Sequence, residues 1–187
     1  MKSRLLHIVD MQNDFVLPDG KLYVPGAESL IEPANEFLRN VKFDKTIATF
    51  DTHYAETYKK TEESKIFPSH CLYRTHGWKL SVQPRNTWVY PCDNVLKNQF
   101  DVWEQPDKIE RFLCGFGPKY THVYVIGVAS DFCVKYAIKG YLDRGYYVTV
   151  VQDLCRGINK QIDDVVSEFN TTKLKLITSK QMKKQRG

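Results

Sequence analysis

An α/β fold built as one domain on a mostly parallel sheet, with helices on both faces, is predicted for this 187-residue chain by two observations. Short, near-continuous apolar and β-branched runs alternate with stretches of helical periodicity, which is the pattern of strands buried on both faces. Polar or reactive residues recur just past the ends of those runs, at Asp10, Asp51, His53, Cys133 and Asp153. In parallel sheets the carboxyl ends of strands are where ligands bind.

The first strand reads Leu5 to Val9 and ends at Asp10-Met11-Gln12-Asn13-Asp14-Phe15. After turns at Pro18-Asp19-Gly20 and Pro25-Gly26, the apolar spacing of Leu30, Ile31, Ala34, Phe37, Leu38 and Val41 predicts a helix from about Glu28 to Asn40. Lys45 to Phe50 is the second strand, ending at Asp51-Thr52-His53. The polar, aromatic stretch from Tyr54 to about Arg85 reads as a long irregular segment, and such segments in compact domains are usually functional or disordered. Thr87 to Tyr90 is a short strand candidate, and Pro106 to Phe116 a helix carrying Ile109, Phe112 and Leu113. The run Val123 to Ala129 is the most strand-like in the chain, and Ser130-Asp131-Phe132-Cys133 follows it into a helix reaching Arg144. Tyr147 to Val151 is a strand, about Lys160 to Phe169 a helix, and Leu174 to Ile177 a last strand.

Composition sets the class. With 42% hydrophobic residues the chain builds one sizeable core, and a single domain spanning 1–187 is expected. No apolar run approaches the roughly 20 residues that cross a bilayer, and the first strand is too short for a signal-peptide core. A cytoplasmic protein without a membrane partner follows as an expectation. Five widely spaced cysteines with no CxxC pair point to reduced thiols. The net charge of +5 owes much to the last eight residues, so 180–187 reads as a basic, frayed tail and no nucleic-acid partner is expected.

Cys133 is the candidate nucleophile. A thiol near a helix N-terminus is stabilised as thiolate by unpaired N–H groups and the helix dipole. An inert buried cysteine is the plainer reading of the same residue. Asp10 sits where a first-strand carboxylate can reach the thiol of a neighbouring strand, and reads equally as a turn or cap residue. Asp51, His53 and His70 offer one carboxylate and two imidazoles, a divalent-metal set open to water or substrate, with Glu62 or Glu63 as a further oxygen donor.

The opening Val9-Asp10-Met11-Gln12-Asn13-Asp14-Phe15, the segment Gly127-Val128-Ala129-Ser130-Asp131-Phe132-Cys133-Val134, and Asp51-Thr52-His53 with Phe67-Pro68-Ser69-His70-Cys71 occur in this order. Together they resemble the isochorismatase-like cysteine hydrolases, and within them the nicotinamidases, also called pyrazinamidases. The resemblance reaches from Val9 to Gly157. Isochorismatases proper are expected to lack the metal set, so that set selects the branch. The resemblance implies an isochorismatase-like hydrolase fold and a third catalytic residue, Lys97, at the head of Lys97-Asn98-Gln99-Phe100-Asp101-Val102-Trp103. A lone lysine is otherwise a solvated surface group.

It further implies an oxyanion site of the backbone N–H groups of Ala129 and Cys133, with a cis peptide at Val128-Ala129. One divalent ion is implied, zinc first, with manganese or iron as alternatives. Phe15, Phe67 and Trp103 are candidate aromatic walls of a small-amide pocket, each equally readable as core, while Phe100 reads as core. Three departures from the nicotinamidase pattern stand out. Thr52-His53-Tyr54 replaces Trp-His-Pro, Phe67 replaces a tryptophan, and no third histidine lies between His53 and His70. The function expected is hydrolysis of nicotinamide to nicotinate and ammonia through a thioester, in support of NAD precursor salvage. The rivals are another C–N hydrolase acting on a different small amide or carbamoyl compound, and a silent binding protein. A homo-oligomer is compatible with the sequence.

Overall fold

The computed structural model describes residues 2–83 and 94–184. The strand candidate at Thr87 to Tyr90, and Cys92, lie outside them. Six strands form one parallel sheet: β1 (Ser3–Val9), β2 (Lys45–Asp51), β3 (Asn94–Lys97), β4 (Thr121–Val128), β5 (Tyr147–Arg156) and β6 (Leu174–Ile177), ordered β3-β2-β1-β4-β5-β6. Seven α-helical segments connect or flank them: α1 (Asn13–Val16), α2 (Ile31–Asn40), α3 (Ala55–Tyr58), α4 (Pro106–Glu110), α5 (Lys135–Asp143), α6 (Ile162–Ser167) and α7 (Ser179–Lys184).

Side chains alternate across a strand, so β1 sends Leu5 and Val9 to one layer and Leu6 and Ile8 to the other. The first layer packs under α4, α5 and α6 through Ile109, Ala137, Ile138, Tyr141, Ile162 and Val165. The second packs under α2 and α7 through Ala34, Phe37, Leu38 and Met182. Helices therefore cover both faces, as the continuous apolar strands require. None of the helices among the described residues is long and apolar enough to cross a membrane. The four cysteines among these residues, Cys71, Cys114, Cys133 and Cys155, are free thiols.

The sequence reading needs three corrections here. The helix expected over Pro106 to Phe116 is α4 followed by a 3-10 turn, Arg111–Leu113. Strand β5 runs on to Arg156, where a register shift against β4 between Val125 and Gly127 lets Gly127 pair with Cys155. Asp153 is thus inside a strand, and its carboxylate accepts from the Ser179 N–H and hydroxyl, both at 2.7 Å. That contact lies at the start of α7, so 179–184 is helical with Met182 buried, and 185–187 of the expected tail lie outside the described residues. A tail rich in lysine still docks, because one apolar residue meets an open face of the core.

The carboxyl ends of β1, β2, β3 and β4 lie side by side and carry the site. Gly127, at φ +132°, lets β4 approach β1 there. A Cβ at this position would sit 2.1 Å from the Val9 carbonyl oxygen, so only glycine fits.

Candidate active site

Asp10 follows β1, Lys97 closes β3 and Cys133 lies in the turn after β4. All three are buried. The lysine reaches over β2, which separates β3 from β1, and its Nζ lies 2.7 Å from Asp10 Oδ2 and 3.4 Å from Cys133 Sγ. It also donates to the Gln99 carbonyl at 3.0 Å. Burial pushes the Lys97 ammonium down, but the charges of Asp10 and Asp51 outweigh it and take the group well above its ordinary value. The Cys133 thiol is raised well above its ordinary value. Burial is the main cause and Asp10 and Asp51 add to it, against an opposing pull from Lys97.

Burial thus opposes the thiolate that a helix N-terminus favours. Cys133 sits in a wide turn, Ser130–Val134, ahead of α5, with Phe132 far from helical geometry at φ −126° and ψ −108°. Such a thiol needs a base, and Asp10 is the carboxylate beside it. The peptide Val128-Ala129 is cis.

A second polar group adjoins the first. His53 Nε2 and His70 Nε2 each lie 3.0 Å from Asp51 Oδ2. Glu63, from the 3-10 turn Glu63–Lys65, brings its carboxylate to 3.5 Å from His53 and 3.7 Å from His70. One ligand atom from each of Asp51, His53, Glu63 and His70 falls within 4.8 Å of the others. Glu62, the alternative donor, is exposed and pairs with Lys65 at 2.6 Å. Two imidazole nitrogens and two carboxylates, three of the four residues buried, form a donor set that fits zinc, manganese or iron(II).

Several contacts hold this set in place. Backbone pairing of His53 with the 71–73 segment, through His53 N to Cys71 O at 3.1 Å and Tyr73 N to His53 O at 2.8 Å, brings the two histidines together. The Pro68 carbonyl lies 2.8 Å from His70 Nδ1 and orients that ring, leaving Nε2 for a ligand. Gln12 exchanges hydrogen bonds with the Asp51 backbone at 2.8 and 2.9 Å. Asp14 accepts the Cys71 N–H at 2.6 Å. Burial pushes the Asp51 carboxyl up, but the Lys97 charge and the hydrogen bonds from His53 and His70 take it well below the usual carboxylate range.

Cys133 and Ala129 open into a cavity of about 200 Å³ that also touches Asp51 and His70, so thiol and metal set share one chamber. Phe15 and Phe67 line it. Trp103 does not: it packs edge-on to Tyr141 at 5.0 Å, donates to the Ala137 carbonyl and sits where a Cβ on Gly140 would clash. Its indole belongs to the core under α5. Phe100 takes the place at the wall, 37% exposed and in contact with Phe67 and Phe132. Leu22, Val24, Val128, Phe132, Ile158 and Asn159 complete the lining and were not legible as a set in the sequence. Phe132 alone carried a signal, as the neighbour of the nucleophile.

The chain is similar to several known proteins. The nicotinamidase of Saccharomyces cerevisiae is 27% identical over 195 residues, covering 83% of this chain and 89% of the relative. That of Escherichia coli is 27% identical over 195 residues, covering 90% of each. The pyrazinamidase of Pyrococcus horikoshii, solved in complex with zinc, superposes with a TM-score of 0.72 at 25% identity over 94% of this chain and 99% of that one. The isochorismatase domain spans residues 4–181, nearly the whole chain, and this protein belongs to that family.

Proposed function

We propose that the chain is a metal-assisted cysteine amidase that hydrolyses nicotinamide to nicotinate and ammonia. The observation that carries this reading is a buried Asp10–Lys97–Cys133 cluster whose Cys133 lines the cavity that Asp51 and His70, of a four-residue donor set, also line. The names of the yeast and Escherichia coli relatives support the choice of amide.

Asp10 takes the proton of the Cys133 thiol as sulfur attacks the carboxamide carbon. The new C–S bond moves the carbonyl pair onto oxygen, which is met by the backbone N–H groups of Ala129 and Cys133. The C–N bond then breaks, Asp10 returns its proton to the nitrogen, and ammonia leaves a thioester. Asp10 next removes a proton from water as its oxygen attacks the acyl carbon. The C–S bond breaks, sulfur takes back the proton that Asp10 holds, and the acid departs, losing its own proton to water as nicotinate. Lys97 stays charged throughout and holds Asp10 and the sulfur in register. Asp51, His53, Glu63 and His70 would hold the divalent ion, which supplies a positive, Lewis-acidic anchor for the pyridine nitrogen. Phe15, Phe67 and Phe100 close on the ring faces and keep water from the thioester until ammonia has gone.

Ammonia release from nicotinamide, pyrazinamide, benzamide and a set of carbamoyl compounds, with metal analysis of the same protein, tests the reading. Turnover of nicotinamide with one bound divalent ion per chain is expected. If only a carbamoyl compound is hydrolysed, the protein is a different C–N hydrolase on this scaffold.

A further inference from the structure

Ile158 and Asn159, in the segment that follows β5, line the cavity on the side of Phe132. They belong to no regular element, so something must fix them. Asp131, two residues before the nucleophile, points its half-buried carboxylate at this segment. Its Oδ1 accepts the Ile158 N–H at 3.0 Å, and its Oδ2 accepts those of Asn159 at 2.8 Å and Lys160 at 3.2 Å. Gly157 makes the tight approach possible, since a Cβ there would sit 1.8 Å from the Lys160 carbonyl oxygen and 3.1 Å from Ser130 Cβ.

From this geometry we propose that Asp131 is a positioning residue, whose carboxylate clamps the 158–160 segment to the nucleophile turn and so sets the wall that selects the ring of the amide substrate. The inference rests on the reading of the cavity as the substrate pocket. Three convergent N–H donors suit a carboxylate, which has two acceptor oxygens and no donor; an amide has one acceptor and turns an NH₂ group toward the remaining donors. The same bonds lower the Asp131 pKa against the opposing effect of burial. The wall and the thiol then move as one unit, because Phe132 and Cys133 continue directly from Asp131.

Two readouts separate this role from a general structural one. Amide hydrogen exchange at 158, 159 and 160 reports the clamp without any substrate, and alkylation of Cys133 by iodoacetamide, a small carboxamide that does not need the ring wall, reports the nucleophile turn. In Asp131→Ala the three amides should exchange at least about tenfold faster, and KM for nicotinamide should rise about tenfold. The kcat and the alkylation rate should stay within about twofold. Asp131→Asn, nearly isosteric and retaining one acceptor, should fall between, and serves if the alanine variant does not fold. Unchanged exchange in both variants overturns the clamp. A fall in kcat and in alkylation with KM unchanged overturns the wall, and assigns Asp131 to the thiol. Should the native protein release no ammonia from nicotinamide, the amide reading fails by itself. The clamp then stands or falls on the exchange rates and on the KM of whichever panel amide is hydrolysed.

Discussion

Cys133 and its two charged neighbours carry opposite electrostatic demands. Burial and Asp10 favour the neutral thiol, and Lys97 favours the thiolate, so in the proposed mechanism the sulfur is activated as its proton leaves for Asp10. At neutral pH, alkylation by iodoacetamide should therefore be faster at the exposed Cys114 than at Cys133, and the rate at Cys133 should keep climbing with pH. Peptide mapping after timed alkylation checks this; a Cys133 rate that is already level at neutral pH would show a resting thiolate. Cys133→Ala should fold and lose turnover, and Asp10→Asn should reduce kcat by about 10²–10⁴-fold because the amide cannot accept the thiol proton. Lys97→Met leaves the Asp10 carboxylate buried without its cation, which should cost about 3–5 kcal/mol in a denaturant titration as well as activity.

The described stretch after β2, residues 52–83, brings most of the donor set together. It delivers His53 from the end of β2, Glu63 from a single 3-10 turn and His70 from the segment zipped to His53. Glu63 is the proposed fourth donor in a stretch that has no third histidine. Glu63→Gln should weaken metal retention during dialysis against chelator while leaving the Cys133 alkylation rate unchanged. The pair His53→Ala with His70→Ala should remove the ion and weaken nicotinamide binding far more than benzamide binding, since benzamide has the carboxamide but no ring nitrogen. Equal losses for the two compounds would mean that the metal set does not anchor the ring. At the other end of the chain, Met182→Ala should destabilise the fold by roughly 2 kcal/mol or more, because α7 docks through this side chain. A frayed tail would show no change in the thermal midpoint.

For the molecule as a whole, His7 ties stability to pH. It lies fully buried on β1, with Nδ1 3.3 Å from the Tyr141 hydroxyl, and burial, helped by the Lys97 charge, lowers its pKa to about 3. The unfolded chain binds a proton at this histidine below about pH 6.5 while the folded one does not. The stability it contributes is therefore complete above that pH, and is lost as pH falls toward 3, by up to about 1.4 kcal/mol per pH unit. His7→Leu should flatten this part of the curve, read as unfolding midpoints in urea between pH 6.5 and 4. An unchanged slope would place the acid sensitivity elsewhere.

Alternation of apolar runs, their order and their β-branched composition determined the parallel sheet and its covered faces, because strands buried on both sides admit few other residues. The same local information marked Asp10, Asp51, His53 and Cys133 as candidates, since residues just past the ends of parallel strands come together, while His70 was marked by its Phe67-Pro68-Ser69-His70-Cys71 setting in the loop. Lys97 needed the family resemblance, because a lysine on a short edge strand looks like any surface lysine until β2 is known to lie between it and its partners. The exchange of Trp103 for Phe100 in the cavity wall had the same origin. Both aromatics lie in one irregular segment whose side chains have no period, and only the packing of Tyr141 and Gly140 on α5 decides which one turns inward. Glu63 over Glu62, the capped helix at 179–184 and the Asp131 clamp likewise depend on contacts between residues far apart in the chain, where spacing along the sequence carries no distance in space.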